Sequence, residues 1–153
     1  MTSESYASYL LCQLGTRVCA IPIAHIAETM RPLPIEPIDG SPSFVLGVSV
    51  IRGTPTPVVD TRVLVGLPPA PSTRFVTIKT GGRTAALAVD AVLTMRSLSQ
   101  AALGPVPGIL GEATAAVTQA IGALDADLLF VLDATRMVPT SVWDVIAGDR
   151  GPK

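Results

Sequence analysis

The chain has 153 residues and a net charge of −1, a length that suits one domain with a substantial hydrophobic core. Its 11 lysine and arginine residues are balanced by 12 aspartate and glutamate residues and form no basic run, which excludes the electrostatic footprint of a nucleic-acid-binding protein. One histidine and two cysteines exclude a structural zinc site with four nitrogen or sulfur ligands from this chain.

The sequence is apolar, so a membrane span has to be considered. Mean hydropathy is +0.52, and only 15% of the residues are charged. The longest uncharged stretch, residues 97–111, contains two prolines and is shorter than the about 18 apolar residues that a span needs. The first residues lack the basic and apolar regions of a signal peptide. We therefore expect a cytoplasmic protein without direct membrane insertion, whose apolar surface serves partners.

Short aliphatic runs separated by glycine and proline indicate an all-β chain. Residues 9–14 and 17–23 are two such runs with only a Gly-Thr pair between them, which predicts a β-hairpin with a two-residue turn. In that register Cys12 lies opposite Cys19, and we expect both thiols to stay reduced in the cytoplasm.

Three further hairpins are predicted along the chain. Residues 75–89 repeat the first hairpin around a Gly-Gly pair, and the other two cover residues 48–59 and 120–132. Each of the last two ends at an aspartate, Asp60 or Asp133, which is predicted to cap a short helical segment.

Two other elements have local signatures. Pro55 and Pro57 alternate, so they remove N–H donors from the same side of their strand, which predicts an edge strand. Residues 141–146 predict a short amphipathic C-terminal helix, with Ser141 as its cap and Trp143 as the side chain that anchors it.

The order hairpin, crossing segment, hairpin and short helix occurs twice, over about residues 9–66 and 75–138. Small five-stranded barrels bury little surface alone, and two that share a face gain a common core. We therefore predict two five-stranded β-barrel subdomains that correspond to these copies and share a hydrophobic core. The single domain is expected over residues 6–146, with flexible tails at residues 1–5 and 148–153.

Catalytic motifs are absent from the sequence. It contains no phosphate-binding glycine loop, no dinucleotide-binding pattern, no G-x-S-x-G and no H-E-x-x-H. His25 is the sole imidazole and lies between apolar residues, while Asp125 and Asp127 are explained as turn residues. We therefore expect a protein that is not an enzyme and has no catalytic, cofactor-binding or metal site.

Three segments lie in an order and spacing that is typical of one family. Residues 44–62 contain Gly-Val-Ser-Val-Ile-Arg-Gly and then Pro-Val-Val-Asp-Thr-Arg, residues 86–92 read Ala-Leu-Ala-Val-Asp-Ala-Val, and residues 121–133 form the last segment. With these motifs the sequence resembles the CheW-like chemotaxis adaptor family over about residues 8–146.

The resemblance implies a non-enzymatic scaffold with two five-stranded SH3-like β-barrels around a shared core. Members of the family couple chemoreceptors, the methyl-accepting chemotaxis proteins, to the regulatory domain of the histidine kinase CheA. The implied partners are therefore a CheA-type kinase and the cytoplasmic tip of a chemoreceptor, and the implied location is the cytoplasm, at membrane-associated receptor arrays. Two alternatives stay open: a CheW-like adaptor of a pilus-motility or other chemosensory pathway, and a small-ligand-binding barrel or small enzyme.

The resemblance also implies which residues bind partners. The family's contact positions match Ile26, Glu28, Gly47, Arg52 and Gly53. Two positions beside Arg52 depart from the family's pattern: the usual asparagine is Val50, and the residue before it is a polar Ser49.

The repeat gives an independent argument for two of these residues. In the second copy, Asp125 stands where the first has Arg52, and Thr94 stands where the first has Glu28. Charges that serve only the fold should recur in both copies, so we expect a local role for Glu28 and Arg52. Arg52 is expected to project into solvent from the hairpin tip, where no internal partner is required.

Overall fold

The computed structural model describes residues 5–105, 118–124, 127–133 and 136–150, and most of them are in β-strands. The strands are β1 (Tyr6–Leu14), β2 (Arg17–Pro22), β3 (Ile26–Met30), β4 (Val45–Ile51), β5 (Thr54–Asp60), β6 (Arg74–Thr80), β7 (Arg83–Val89), β8 (Ala91–Ser99), β9 (Thr118–Leu124) and β10 (Asp127–Leu132). Helix α1 (Thr61–Leu64) follows β5, and helix α2 (Thr140–Arg150) follows β10. The all-β prediction is confirmed.

The strands form two five-stranded sheets built on one plan. Sheet A has the order β8-β1-β2-β10-β9, and sheet B has the order β3-β6-β7-β5-β4. In each sheet two antiparallel hairpins meet through one parallel pair, β2 with β10 in sheet A and β5 with β7 in sheet B. Each strand of the first sequence copy and its counterpart in the second copy therefore hold the same position in the strand order, but in opposite sheets.

The two sequence copies, however, do not coincide with the two sheets. The chain changes sheets after the first hairpin of each copy, because β3 pairs with β6 and β8 pairs with β1. Sheet B is therefore one continuous segment, residues 26–89, inserted between the two parts of sheet A. The subdomain bounds 9–66 and 75–138 enclose neither sheet, since each copy contributes strands to both.

The core has three layers. Side chains from the facing sides of the two sheets, including Ile21, Leu87 and Phe130, form one large buried cluster between them. A smaller cluster around Leu11 lies on the other side of sheet A, and one around Phe75 lies on the other side of sheet B. Alternate residues of a strand point to opposite faces, so a strand such as β1 supplies side chains both to the central cluster and to the cluster around Leu11. The predicted shared core is confirmed.

The predicted local elements are largely present where the structure describes them. Two-residue turns close the hairpins at residues 15–16, 52–53 and 81–82. The Asp60 carboxylate accepts hydrogen bonds from the amides of Arg62 and Val63, as expected of a helix cap. The turn predicted at residues 125–127 and the segment after Asp133 fall partly outside the described residues.

Two local expectations are corrected by the structure. Strand β5 lies inside sheet B rather than at its edge, but its pairing with β7 covers only Val58–Asp60, so Pro55 and Pro57 precede the parallel ladder. The missing N–H groups therefore cost this ladder no hydrogen bond. Helix α2 begins at Thr140, which places Ser141 within its first turn rather than at the cap, and it continues past residue 146 to Arg150.

Limited proteolysis tests the interleaved sheets. Cleavage in the proline-rich joint at residues 68–72 is expected to leave the two fragments associated, because strands from both sides of the joint complete each sheet. Native size-exclusion chromatography should show one species that separates into two fragments only in denaturant. Two fragments that separate and stay folded would contradict this arrangement.

The cysteine pair allows a second test. Cys12 lies opposite Cys19 as predicted, and both thiols are free and fully buried. A hydrogen bond with Cys12, together with burial, raises the pKa of the Cys19 thiol. A thiol reagent at neutral pH is therefore expected to react slowly with the native protein and to titrate two thiols after denaturation. A Cys12–Cys19 disulfide in protein purified from reducing cytosol would overturn this expectation.

Candidate partner-binding site

Two of the residues that the sequence analysis selected are in direct contact. Arg52 donates from Nε to Glu28 Oε2 at 2.6 Å and from Nη2 to Glu28 Oε1 at 2.7 Å. This two-point geometry matches the fork of a guanidinium to a carboxylate. Arg52 projects into solvent from the hairpin tip as expected, but the expectation that it has no internal partner is wrong. Sheet B bends so that its edge strand β3 comes within side-chain reach of the β4–β5 turn at the opposite edge.

The ion pair lies at the surface. The Arg52 side chain is 76% exposed and that of Glu28 is 30% exposed. The hydrogen bond and charge of Arg52 lower the pKa of Glu28, and those of Glu28 raise the pKa of Arg52, so both groups are charged at neutral pH. Two of the five guanidinium N–H groups point to Glu28, which leaves three donors for another molecule.

The backbone at the turn is unusual for an arginine. Arg52 has φ +51° and Gly53 has φ +79°, the conformation of a two-residue hairpin turn in which asparagine and glycine are preferred. Within the described part of the chain, Arg52 is the one non-glycine residue with positive φ. Left-handed backbone costs an ordinary residue about 1 to 2 kcal/mol. An arginine at this position therefore indicates a use for the guanidinium itself.

A groove surrounds the ion pair. Its volume is about 410 Å³, and besides Ala27 and Ile51 its lining includes Lys79 and four threonines: Thr54, Thr56, Thr77 and Thr84. The Thr77 hydroxyl contacts both the backbone N–H and the carbonyl of Glu28, which fixes β3 against β6. The sequence analysis missed these threonines. A signal for three of them is present in the sequence: Thr54 and Thr56 on β5 and Thr77 on β6 are polar residues on the same face as the buried Val58 and Phe75.

The other two sequence-selected residues have structural explanations. Ile26 is half-buried at the start of β3 and packs against the central cluster. Gly47 is buried at a bulge in β4 and has φ +145°. A Cβ atom at Gly47 would lie 2.1 Å from the carbonyl oxygen of Glu36, so the fold alone requires a glycine there. The structure thus brings Glu28, Arg52 and Gly53 together and places Gly47 apart, in the interior.

A second polar cluster joins the two sheets. Arg62 Nη1 lies 2.5 Å from Asp90 Oδ2, and the amide of Gly15 donates to the same oxygen at 2.7 Å. The side chains of Arg62 and Asp90 are only 16% and 25% exposed. Helix α1 beside sheet B is thereby tied to the β1–β2 turn of sheet A. Burial also raises the pKa of Asp60, against the amide hydrogen bonds that lower it.

Histidine, cysteine and acidic side chains do not cluster among the described residues. These residues contain no group of three or more histidine, cysteine, aspartate or glutamate side chains that could bind a metal ion. His25 Nδ1 lies 3.3 Å from the carbonyl oxygen of Lys79. Among these residues, no helix has the length and apolar character needed to cross a membrane.

Comparisons with known proteins agree with this architecture. At the sequence level the chain is similar to the chemotaxis protein CheW of Helicobacter pylori (27% identical, covering 72% of this chain and 68% of that protein), to CheW of Rhizobium meliloti (25%, covering 84% of each) and to FrzA of Myxococcus xanthus (29%, covering 88% and 87%). Its fold resembles the crystal structure of the scaffolding protein TtCheW from Thermoanaerobacter tengcongensis, with a TM-score of 0.73, 20% identity, and coverage of 84% and 90%. The family model of the CheW-like domain matches residues 8–141, and the chain belongs to that family.

Proposed function

We propose that the chain is a non-enzymatic adaptor that couples chemoreceptors to a CheA-type histidine kinase in chemotaxis signal transduction. The family, the relatives named as chemotaxis protein CheW and the SH3-like fold of TtCheW support this role. The proposed partners are the regulatory domain of the kinase and the cytoplasmic tip of a receptor. The proposed location is the cytoplasm, at membrane-associated receptor arrays.

The exposed ion pair between Glu28 and Arg52 is the observation that best supports a partner site here. Glu28 holds the guanidinium in one orientation before a partner arrives, which lowers the entropy lost on binding. The three remaining N–H groups of Arg52 are proposed to bind a carboxylate or backbone carbonyls of the partner. Gly53 supplies the turn, Ile26 presents its exposed part at the start of β3, and Gly47 is proposed to contribute by shaping β4.

Charge reversal at Arg52 tests the proposal. Arg52→Glu is expected to weaken binding to the kinase regulatory domain or to a receptor cytoplasmic fragment by at least about tenfold, which corresponds to about 1.4 kcal/mol. The melting temperature should change by only a few degrees, because exposed ion pairs contribute about 0 to 1 kcal/mol. Binding is measured by pull-down and titration calorimetry with each partner separately.

Arg136→Glu is the matched control, since Arg136 is also an exposed arginine with an aspartate partner, 2.7 Å from Asp133. It should bind both partners normally. The double variant Arg52→Glu with Glu28→Arg restores an ion pair with reversed polarity and should still bind weakly. Normal binding by Arg52→Glu to both partners would remove the basis of the proposed site.

The similarity to FrzA favours a second candidate, the same adaptor role in another chemosensory pathway. The same binding assay distinguishes the two when it is run with the receptor and kinase of each candidate system.

A further inference from the structure

The face of sheet B that carries the central cluster also has, near the β4–β5 turn, an exposed apolar side chain whose role the proposed function leaves open. Val50, where the sequence departs from the family's pattern, is 65% exposed. It lies opposite Pro55 in the β4–β5 ladder, so the two side chains share one face. Helix α2 covers the neighbouring part of this face through Val142 and Ile146, which pack with Val48, but Val50 is not part of that cluster.

A groove continues this apolar face from Pro55 towards helix α2. Its volume is about 220 Å³, and its lining includes Pro55, Arg83, Trp143 and Asp144. Trp143 is half-buried, and the Arg83 guanidinium lies 5.2 Å from the centroid of its ring. None of the ion pairs among the described residues involves Arg83 or Asp144, so both charges are available to another molecule.

The proposed adaptor site lies mainly on the other side of the β4–β5 hairpin, and the two grooves adjoin at Thr54 and Thr84, which line both. Ile51, Thr54 and Thr56 alternate with Val50 and Pro55 along the hairpin and point to the opposite side of the sheet. All three line the groove that contains the pair of Glu28 and Arg52. Val50, Arg83 and Asp144 do not line that groove, so substitutions at these three residues leave its lining side chains unchanged.

We propose that Val50, Pro55, Arg83, Trp143 and Asp144, here called the Trp143 surface, bind the Trp143 surface of a second copy of the chain. An apolar centre that carries one cation and one anion is complementary to itself across a two-fold axis, with Arg83 of each copy facing Asp144 of the other. Tryptophan and arginine are also the residues most enriched at the energetic centres of interfaces. The net charge of −1 opposes association only weakly.

The surface is small, so the dimer is weak and reversible, with a dissociation constant on the order of 10 to 100 µM. Sedimentation velocity of the purified chain from about 5 to 500 µM is expected to show a monomer–dimer equilibrium. Because Trp143 is the only tryptophan, its fluorescence should shift to shorter wavelength over the same concentration range. A monomer across the whole range would overturn the proposal, whatever other ligand the groove binds.

Two sets of variants identify the surface. Val50→Asp should weaken dimerisation at least tenfold, whereas Met95→Asp, at a residue on β8 that is 66% exposed, should leave it unchanged. Arg83→Asp and Asp144→Arg should each weaken it, and the double variant should regain most of the loss, because reversed charges again face each other. Circular dichroism confirms that each variant is folded. An equal effect of Val50→Asp and Met95→Asp, or no recovery in the double variant, would contradict the proposed interface.

Discussion

Arg62→Ala is expected to lower the free energy of unfolding by about 2 to 4 kcal/mol. Arg62 and Asp90 form the mostly buried ion pair that ties helix α1 to the β1–β2 turn. Once the guanidinium is removed, the Asp90 carboxylate keeps one hydrogen bond to the described residues, from the Gly15 amide to Oδ2. Its other oxygen, Oδ1, is buried without a partner among these residues. An uncompensated buried charge of this kind is costly.

Urea unfolding followed by circular dichroism measures this loss. Arg136→Ala, which breaks a more exposed ion pair between residues three positions apart, is the control and should cost about 0 to 1 kcal/mol. Adding Asp90→Asn to Arg62→Ala should recover part of the loss, since the amide carries no charge. Equal stability of Arg62→Ala and Arg136→Ala would show that the junction between the sheets does not depend on this ion pair.

Gly47→Ala is expected to destabilise the chain by about 3 to 4 kcal/mol, from overpacking and backbone strain together. Besides the carbonyl oxygen of Glu36 at 2.1 Å, the new Cβ would lie 2.9 Å from Ile35 Cγ2. The backbone of residues 35 and 36 cannot move away easily, because Glu36 exchanges two hydrogen bonds with Val48. At φ +145° an alanine is also strained regardless of space.

Gly40→Ala is the control for Gly47→Ala, because Gly40 has φ +76° but no atom within 4 Å of the position that an added Cβ would occupy. It isolates the conformational cost, about 1 to 2 kcal/mol. Both variants are compared by thermal and urea unfolding. A Gly47→Ala protein that is as stable as Gly40→Ala but fails to bind its partners would show that Gly47 acts as a contact residue.

The sequence predicts the features of this fold that depend on near neighbours. The turn at Arg52 and Gly53 and the cap at Asp60 follow from a few adjacent residues, and both are present. The assignment of hairpins to sheets was wrong because it depends on the parallel pairs of β2 with β10 and β5 with β7. Parallel pairs join distant segments and have no turn between them to give a local signal.

The same limit applies to the candidate site. The family resemblance selected Glu28 and Arg52, and the comparison of the two repeat copies supported the choice, because the second copy has Thr94 and Asp125 at these positions. The contact between Glu28 and Arg52 could not be predicted, since the residues are 24 positions apart and meet only when sheet B bends. Arg62 illustrates the opposite case: it was expected to lie in a short helix, but its burial against Asp90 depends on how the two sheets pack.

The insertion of sheet B between the two parts of sheet A has a consequence for biosynthesis. All strands of sheet B have left the ribosome once residue 89 is free, so this sheet can form while the rest of the chain is still being made. The β1–β2 hairpin, although made first, must wait for β10 before its inner edge is paired. During that interval its apolar face around Leu11, on the side of sheet A away from sheet B, is open to solvent and to other nascent chains. A chaperone that binds the nascent protein is therefore expected to hold its N-terminal hairpin, and a chain terminated before β10 would retain that exposed edge and be prone to aggregate.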